Sequence, residues 1–388
     1  MIISLRKIIT YLAIYYPAIY TILYMISDEY GRLLAQIMLI LCFGGMIQSK
    51  KKKTYLSLIY ILIICLINVM LHGIQYMFNL DFYGFILLLL IISLYLNDNY
   101  LNELESKLVN EKVIKTSIFI YYIIIVISIF MDNGLRIESA WGVSIPMLYG
   151  PFELPHSLAY NQIIIFCMAS ILFRKTSKKL YLIIEAISFI CIIWTGVRTV
   201  TLVIIIMLAY DLLKLKKVKI KYYIFSLLGL FFVFALLFSD IVINNPVVQK
   251  TLNALSKGNI SNSRDDFNSY LLNFFCNRLS LSEKILGIGL PNLRSYMFLR
   301  YGTELHAHND IFNVLIGMGL ITFMYYARKI WLFCKKAGKI LPIFIVIFLL
   351  SFFNGLYMYI GFTPSIAILI IYYKTVCLPK EARGNVEL

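Results

Sequence analysis

Charge is scarce in this chain. Only 14% of its 388 residues are Asp, Glu, Lys or Arg, while 61% are hydrophobic and the mean hydropathy is +0.82. That balance excludes an ordinary soluble globule and marks an integral membrane protein. Histidine is almost missing: His72, His156, His306 and His308 are all there are. His306 and His308 stand two residues apart and would need further ligands that no nearby pattern supplies, so no metal is expected. The seven cysteines are scattered without zinc or redox spacing, and read as small apolar packing residues. The glycine-rich phosphate loop of an ATPase is absent. So are short repeats and low-complexity linkers.

What the chain has instead is long apolar runs. A helix needs about 20 apolar residues to cross a bilayer. Such runs occupy 8–26, 32–48, 54–73, 83–97, 116–132, 155–173, 180–196, 199–213, 222–239, 309–327, 340–360 and 364–378. The expected fold is all-α: a polytopic membrane helix bundle of about 12 spans, with one large, partly helical outer loop. The run at 83–97 needs flanking residues to span. The first run is long, rich in Tyr and without a small-residue cleavage site, so a first span is expected there rather than a cleavable signal peptide.

The net charge of +16 could suggest nucleic acid, but its distribution argues against that partner. Most Lys and Arg fall at 6–7, 50–53, 107–115, 174–179, 214–221, 328–339 and 374–383. These are alternate loops, as the positive-inside rule requires. Both termini are therefore expected in the cytoplasm, with anionic membrane lipid as the partner of this charge. Residues 1–239 are expected to hold spans one to nine, 240–308 a large outer loop, and 309–388 spans ten to twelve. The large loop has helical signals. Ser263-x-x-Asp266 fits a capping box, and Phe267, Leu271, Phe274 and Phe275 repeat at helical spacing. Such a helix could lie on the outer lipid surface or pack on the spans. Gly287-Ile288-Gly289 and Pro291 break the pattern before an irregular stretch leading to His306. The inner loop 97–115 mixes acids and bases and is expected to be a solvated helix.

His306-Ala307-His308-Asn309-Asp310 stands where the large loop enters an apolar run. A helix entrance presents unpaired N–H groups and the positive end of the macrodipole. A histidine there tends to stay neutral, which suits a general base, and the same end favours anions. Arg198 sits in a tight outer turn, where the positive-inside rule counts against it. Its planar fork suits phosphate, the alternative being an arginine that snorkels to headgroups or pairs with an outer carboxylate. Arg264 opens an expected helix, where a cation opposes the macrodipole. An anion held there would favour it, as would a salt bridge to Asp265 or Asp266. Glu185 and Asp211 lie in spans but close enough to the inner surface to snorkel or pair with Lys178, Lys179 or Lys214.

His308-Asn309, nine residues, then Gly319-Leu320-Ile321-Thr322 resembles the His-Asn-x9-Gly-Leu-Ile-Gly signature of the O-antigen polymerase and O-antigen ligase superfamily. Thr322 takes the place of the common final glycine, and His306-Ala307 precedes the signature as it often does in that family. Gly150-Pro151-Phe152 with Pro155-His156, Gly196-Val197-Arg198, Ser263-Arg264 and Leu286-Gly287-Ile288-Gly289 are similar to further family motifs, in the same order. His156 stands for a usual Asn and Val197 for a usual Ser. The resemblance covers roughly residues 130–330.

The resemblance implies a bacterial inner-membrane enzyme that joins glycans carried on undecaprenyl diphosphate, as donor and acceptor, at the outer face. It implies His308 as the base and Arg198 and Arg264 on the diphosphate, with Arg278 and Arg136 as further diphosphate candidates. His306, Asn309 and His156 would support them. No cofactor is implied. A chain-length regulator and a flippase are further expected partners. Polymerase leads; ligase and, more distantly, a lipid-linked-glycan flippase are the alternatives.

Overall fold

The computed structural model describes residues 4–131, 134–137, 145–214, 244–256, 258, 264–301, 309–338 and 340–377. The described helices, in chain order, are α1 (Leu5–Ile26), α2 (Asp28–Ile47), α3 (Lys52–His72), α4 (Leu80–Tyr95), α5 (Asp98–Leu108), α6 (Glu111–Phe130), α7 (Pro155–Thr176), α8 (Lys179–Trp194) and α9 (Arg198–Lys214). They continue with α10 (Pro246–Ser256), α11 (Arg264–Asn277), α12 (Leu281–Leu286), α13 (Leu290–Tyr301), α14 (Asp310–Gly317), α15 (Gly319–Lys336), α16 (Ile340–Phe353) and α17 (Ala367–Cys377). A small antiparallel ribbon, β1 (Leu135–Arg136) with β2 (Met147–Leu148), pairs Arg136 with Met147.

Every expected apolar run falls on a helix except 222–239, which lies outside the described residues. Among the described residues, five helices are long and apolar enough to cross a membrane: α1, α2, α3, α6 and α7. The bent pair α4 and α5 would make a sixth. Helix α4 is hydrophobic all round and buried on every side from Phe82 to Tyr95, as a helix without a polar face must be. Helix α17 is likewise buried over Ala367 to Tyr373. Outer helices such as α3 bury a stripe and leave Leu62, Leu66 and Met70 exposed. That is the surface a lipid environment covers.

Three expectations are corrected. The helix in 97–115 is not fully solvated. The chain bends by 87° after α4, and α5 buries Tyr100, Leu101, Leu104 and Leu108 beneath the bundle. The run 309–327 is two helices, broken between Gly317 and Gly319, and the second continues to Lys336. The stretch after Gly289 is not irregular: Pro291 is the second residue of α13. Proline is tolerated in a first helical turn because its missing N–H would have no intrahelical partner.

Helix α5 gathers the basic segments at one end of the bundle. Arg6 and Lys107 approach Glu103 at 3.6 and 3.7 Å, Lys51 reaches Asp98 at 3.7 Å, and Lys374 reaches Glu105 at 3.5 Å. Lys336 also pairs with Asp98, and Lys178 with Glu111 at 2.7 Å. Helix α3 starts beside this layer and α7 ends beside it. At about 1.5 Å per residue, His72 and His156 therefore lie roughly 30 Å away, at the opposite end.

Candidate functional site

The opposite end is built from α10 to α13 and the chain turns they cover. Its centre is a glycine-to-glycine contact. Gly287 and Gly319, at φ +88° and +79°, bring two backbones so close that a Cβ on either would strike main-chain atoms of the other segment. The N–H groups of Ile288 and Gly289 donate to the carbonyls of Ile316 and Gly317 at 3.1 and 2.8 Å. These bonds satisfy carbonyls that the end of α14 leaves without helical partners. A break inside an apolar segment is tolerable where protein supplies such bonds. The Leu286–Gly289 and Gly319–Thr322 motifs thus meet each other in the fold.

Just before that contact, Asn309 caps α14. Its Oδ1 accepts the N–H groups of Ile311 and Phe312 at 3.0 and 3.4 Å, and its Nδ2 donates to Asn268 of α11 at 3.3 Å. Asp310 is fully buried, and its carboxylate accepts the Leu356 N–H at 2.6 Å. It ties the turn after α16 to the start of α14. Gly355 leaves room for it, since a Cβ there would lie 2.7 Å from Asp310 Oδ1.

A second centre is the turn from α8 to α9. Gly196 adopts φ +68°, and Arg198 follows as the half-buried first residue of α9. Helix α10 lies over this turn. A methyl group at Gly196 would sit 3.2 Å from Lys250 Nζ, 3.2 Å from Pro246 and 3.0 Å from the Met147 sulfur. Met147 pairs with Arg136 in the ribbon, and Arg136 stacks over the Tyr149 ring at 5.1 Å. Three cations from distant segments therefore approach one turn: Lys250 with its Nζ beside it, Arg198 just after it, and Arg136 through its strand pairing with Met147. Positive charge concentrated in this way favours an anion.

The remaining expected site residues divide. His306 and His308 lie outside the described residues. Arg264 opens α11, with Asp265 and Asp266 in the same first turn; Ser263 of the expected capping box lies outside the described residues. Arg278 is exposed just after α11. His156 stacks on Tyr359 at 6.0 Å, and Tyr359 in turn on Tyr160 at 4.2 Å. It is part of an aromatic pile. Phe152 is buried against Tyr20 and Tyr24 of α1, so the Gly150-Pro151-Phe152 motif packs the β2–α7 turn onto the bundle.

Lys250, Asp310 and His72 were not singled out by sequence as site residues. Nothing local marks Lys250 among the loop charges, and Asp310 stood in the shadow of its neighbouring histidines. Nor did sequence join Asp81 of α4 to Arg294 of α13, which pair through two contacts at 2.7 and 2.9 Å and clamp the loop helices to the bundle. His72 lines an open groove between α3, α12 and α13. Its neighbour Glu283 forms a true capping box with Ser280. The Ser280 hydroxyl and amide hold the Glu283 carboxyl below the usual range, because they stabilise its charge.

No protein-family model matches the chain, and no curated protein matches it.

Proposed function

We propose that the chain is a membrane glycosyltransferase that polymerises undecaprenyl-diphosphate-linked oligosaccharide repeats into O-antigen or capsular polysaccharide at the outer face of a bacterial inner membrane. The gathering of Arg136, Arg198 and Lys250 round the Gly196 turn carries this reading. It lies at the end opposite the basic layer on α5. With that layer inside, by the positive-inside rule, the cation turn faces outward, where a lipid-linked donor would present its diphosphate.

The chemistry follows from the charges. An acceptor hydroxyl attacks the anomeric carbon of the donor. The bond from that carbon to the diphosphate oxygen breaks, and its electron pair leaves with the diphosphate. Arginine and lysine donors held in place stabilise that growing charge without reorganising, an effect typically worth about 10²–10³ in rate per donor. His308, just ahead of the Asn309 cap, is assigned to take the hydroxyl proton, a contribution of about 10²–10⁴. The apolar helices keep the donor's lipid in the bilayer. A ligase would use the same donor with a different acceptor.

A surface-glycan gel of a deletion strain tests the reading. Loss of a polymerase leaves core bearing one repeat unit. Loss of a ligase leaves bare core with polymer retained on lipid, and loss of a flippase leaves neither product outside. His308→Ala and Arg198→Ala should each reproduce the polymerase deletion at normal protein level. Wild-type chain length in both overturns the site assignment.

A further inference from the structure

The groove beside His72 has a volume of about 490 Å³, within the range of about 300–1,000 Å³ common for ligand sites. Leu71 and Leu299 form part of its rim and continue the exposed apolar face of α3. The rest of the lining mixes apolar Leu286 and Ile288 with polar His72, Ser282, Glu283, Asn292 and Ser295. His72 Nε2 is buried and meets no hydrogen-bond partner among the described residues. Gly289 makes room for that ring, since a Cβ there would lie 3.3 Å from Nε2. Glu283 spends Oε2 on the Ser280 amide and hydroxyl, at 2.8 and 2.7 Å. Oε1 has no donor among the described residues. Ser282 and Ser295 add hydroxyls, and Tyr296 lies at the groove with its side chain partly exposed.

This lining selects by chemistry. It contains no Lys or Arg, and the Glu283 charge repels a phosphate. A purely hydrocarbon occupant would cover Glu283 Oε1 without supplying a donor, at a cost. A ligand with many hydroxyls and apolar C–H faces suits this mixture: hydroxyls meet the carboxylate and the serines, and C–H faces lie on the tyrosine ring and the leucines. We infer that the groove binds a neutral carbohydrate segment. Resting on the polymerase reading, that segment belongs to the acceptor chain, presented to the cation turn from the same end of the bundle.

Photo-crosslinking in the source cells tests this. Benzoylphenylalanine is placed at Leu299 in the groove and, as a lipid-facing control, at Leu66 of α3. After irradiation the adducts are identified by mass and by periodate reactivity. The expected result is a sugar adduct at 299 and a lipid adduct at 66. Tyr296→Ala and Glu283→Gln should each lower the sugar adduct about tenfold, the factor for 1.4 kcal/mol. Glutamine can still serve the capping box, so α12 keeps its start. A lipid adduct at 299, no adduct there while 66 labels, or sugar yields unchanged in both variants overturns the inference. If this fails while the deletion strain still shows single-repeat core, the groove assignment is wrong and the polymerase reading stands. A deletion strain with wild-type glycan sinks the polymerase reading itself.

Discussion

Round α5, Lys51 and Lys336 share Asp98 while Arg6 and Lys107 share Glu103; at the far end, Arg136, Arg198 and Lys250 crowd one glycine turn. The same residue types serve different ends. In the first layer each of these cations has an acid within reach, and all but the Lys107–Glu103 pair inside α5 tie separate segments together. In the second, cations arrive at one glycine turn from the ribbon, from α9 and from α10. A layer of exposed pairs costs little to perturb, because such pairs contribute only about 0–1 kcal/mol. A concentration of like charge is unfavourable unless an anion joins it. On the proposed function, the contrast separates charge that orients the protein from charge that serves a ligand.

Charge reversal breaks that comparison most sharply. Lys250→Glu puts a negative group beside the Gly196 turn and should slow glycan extension by about 10²-fold or more, as loss of one fixed charge-stabilising donor does. Pulse-labelled polymer in membranes reads this out. Lys336→Glu at the other end should leave extension unchanged, and equal losses in both would erase the distinction between the ends. Gly319→Val tests the scaffold under the far end. Its positive φ and the backbone of Gly287 leave no place for a side chain, so a loss of about 3 kcal/mol is expected. It would appear as a lower thermal midpoint in detergent and poor accumulation.

Asp310→Ala leaves the Leu356 N–H without its acceptor in a buried place, at a cost of about 1–3 kcal/mol. A drop in midpoint with faster proteolysis after α16 is the expected outcome; an unchanged midpoint would show that Asp310 does not hold that turn. The smallest effect belongs to Lys336→Ala. Its exposed pair with Asp98 should cost less than about 1 kcal/mol, and a larger fall would mean that the α5 layer holds the bundle together.

How far the fold was legible depended on distance along the chain. Apolar runs announced helices because burial and lipid both act on each segment separately. The helix at 264–277 was readable from Phe267, Leu271, Phe274 and Phe275, and Leu271 and Phe274 are buried as that spacing requires. The buried stripe of α5 was also written in the sequence, as Tyr100, Leu101, Leu104 and Leu108, but the charges between them drew attention to a solvated helix. The break at Gly317 was not readable, because the amides that complete it come from Ile288 and Gly289. Helix α13 was missed because proline was taken as a breaker rather than as a first-turn residue. At the candidate site, Arg198 and Arg136 were named from sequence, but nothing in their own segments says that Lys250 joins them.

By itself the sequence determined that this is a helical chain for a membrane, where its apolar segments lie, and that its cations alternate between loops. Those properties depend on each segment meeting lipid or water alone, so local composition suffices. Only the tertiary structure decided that three cations share a turn, that two glycine motifs touch, and that His72 and Glu283 line one groove. Each of these joins residues far apart in the chain, and their meeting depends on how helices pack, which no single stretch encodes.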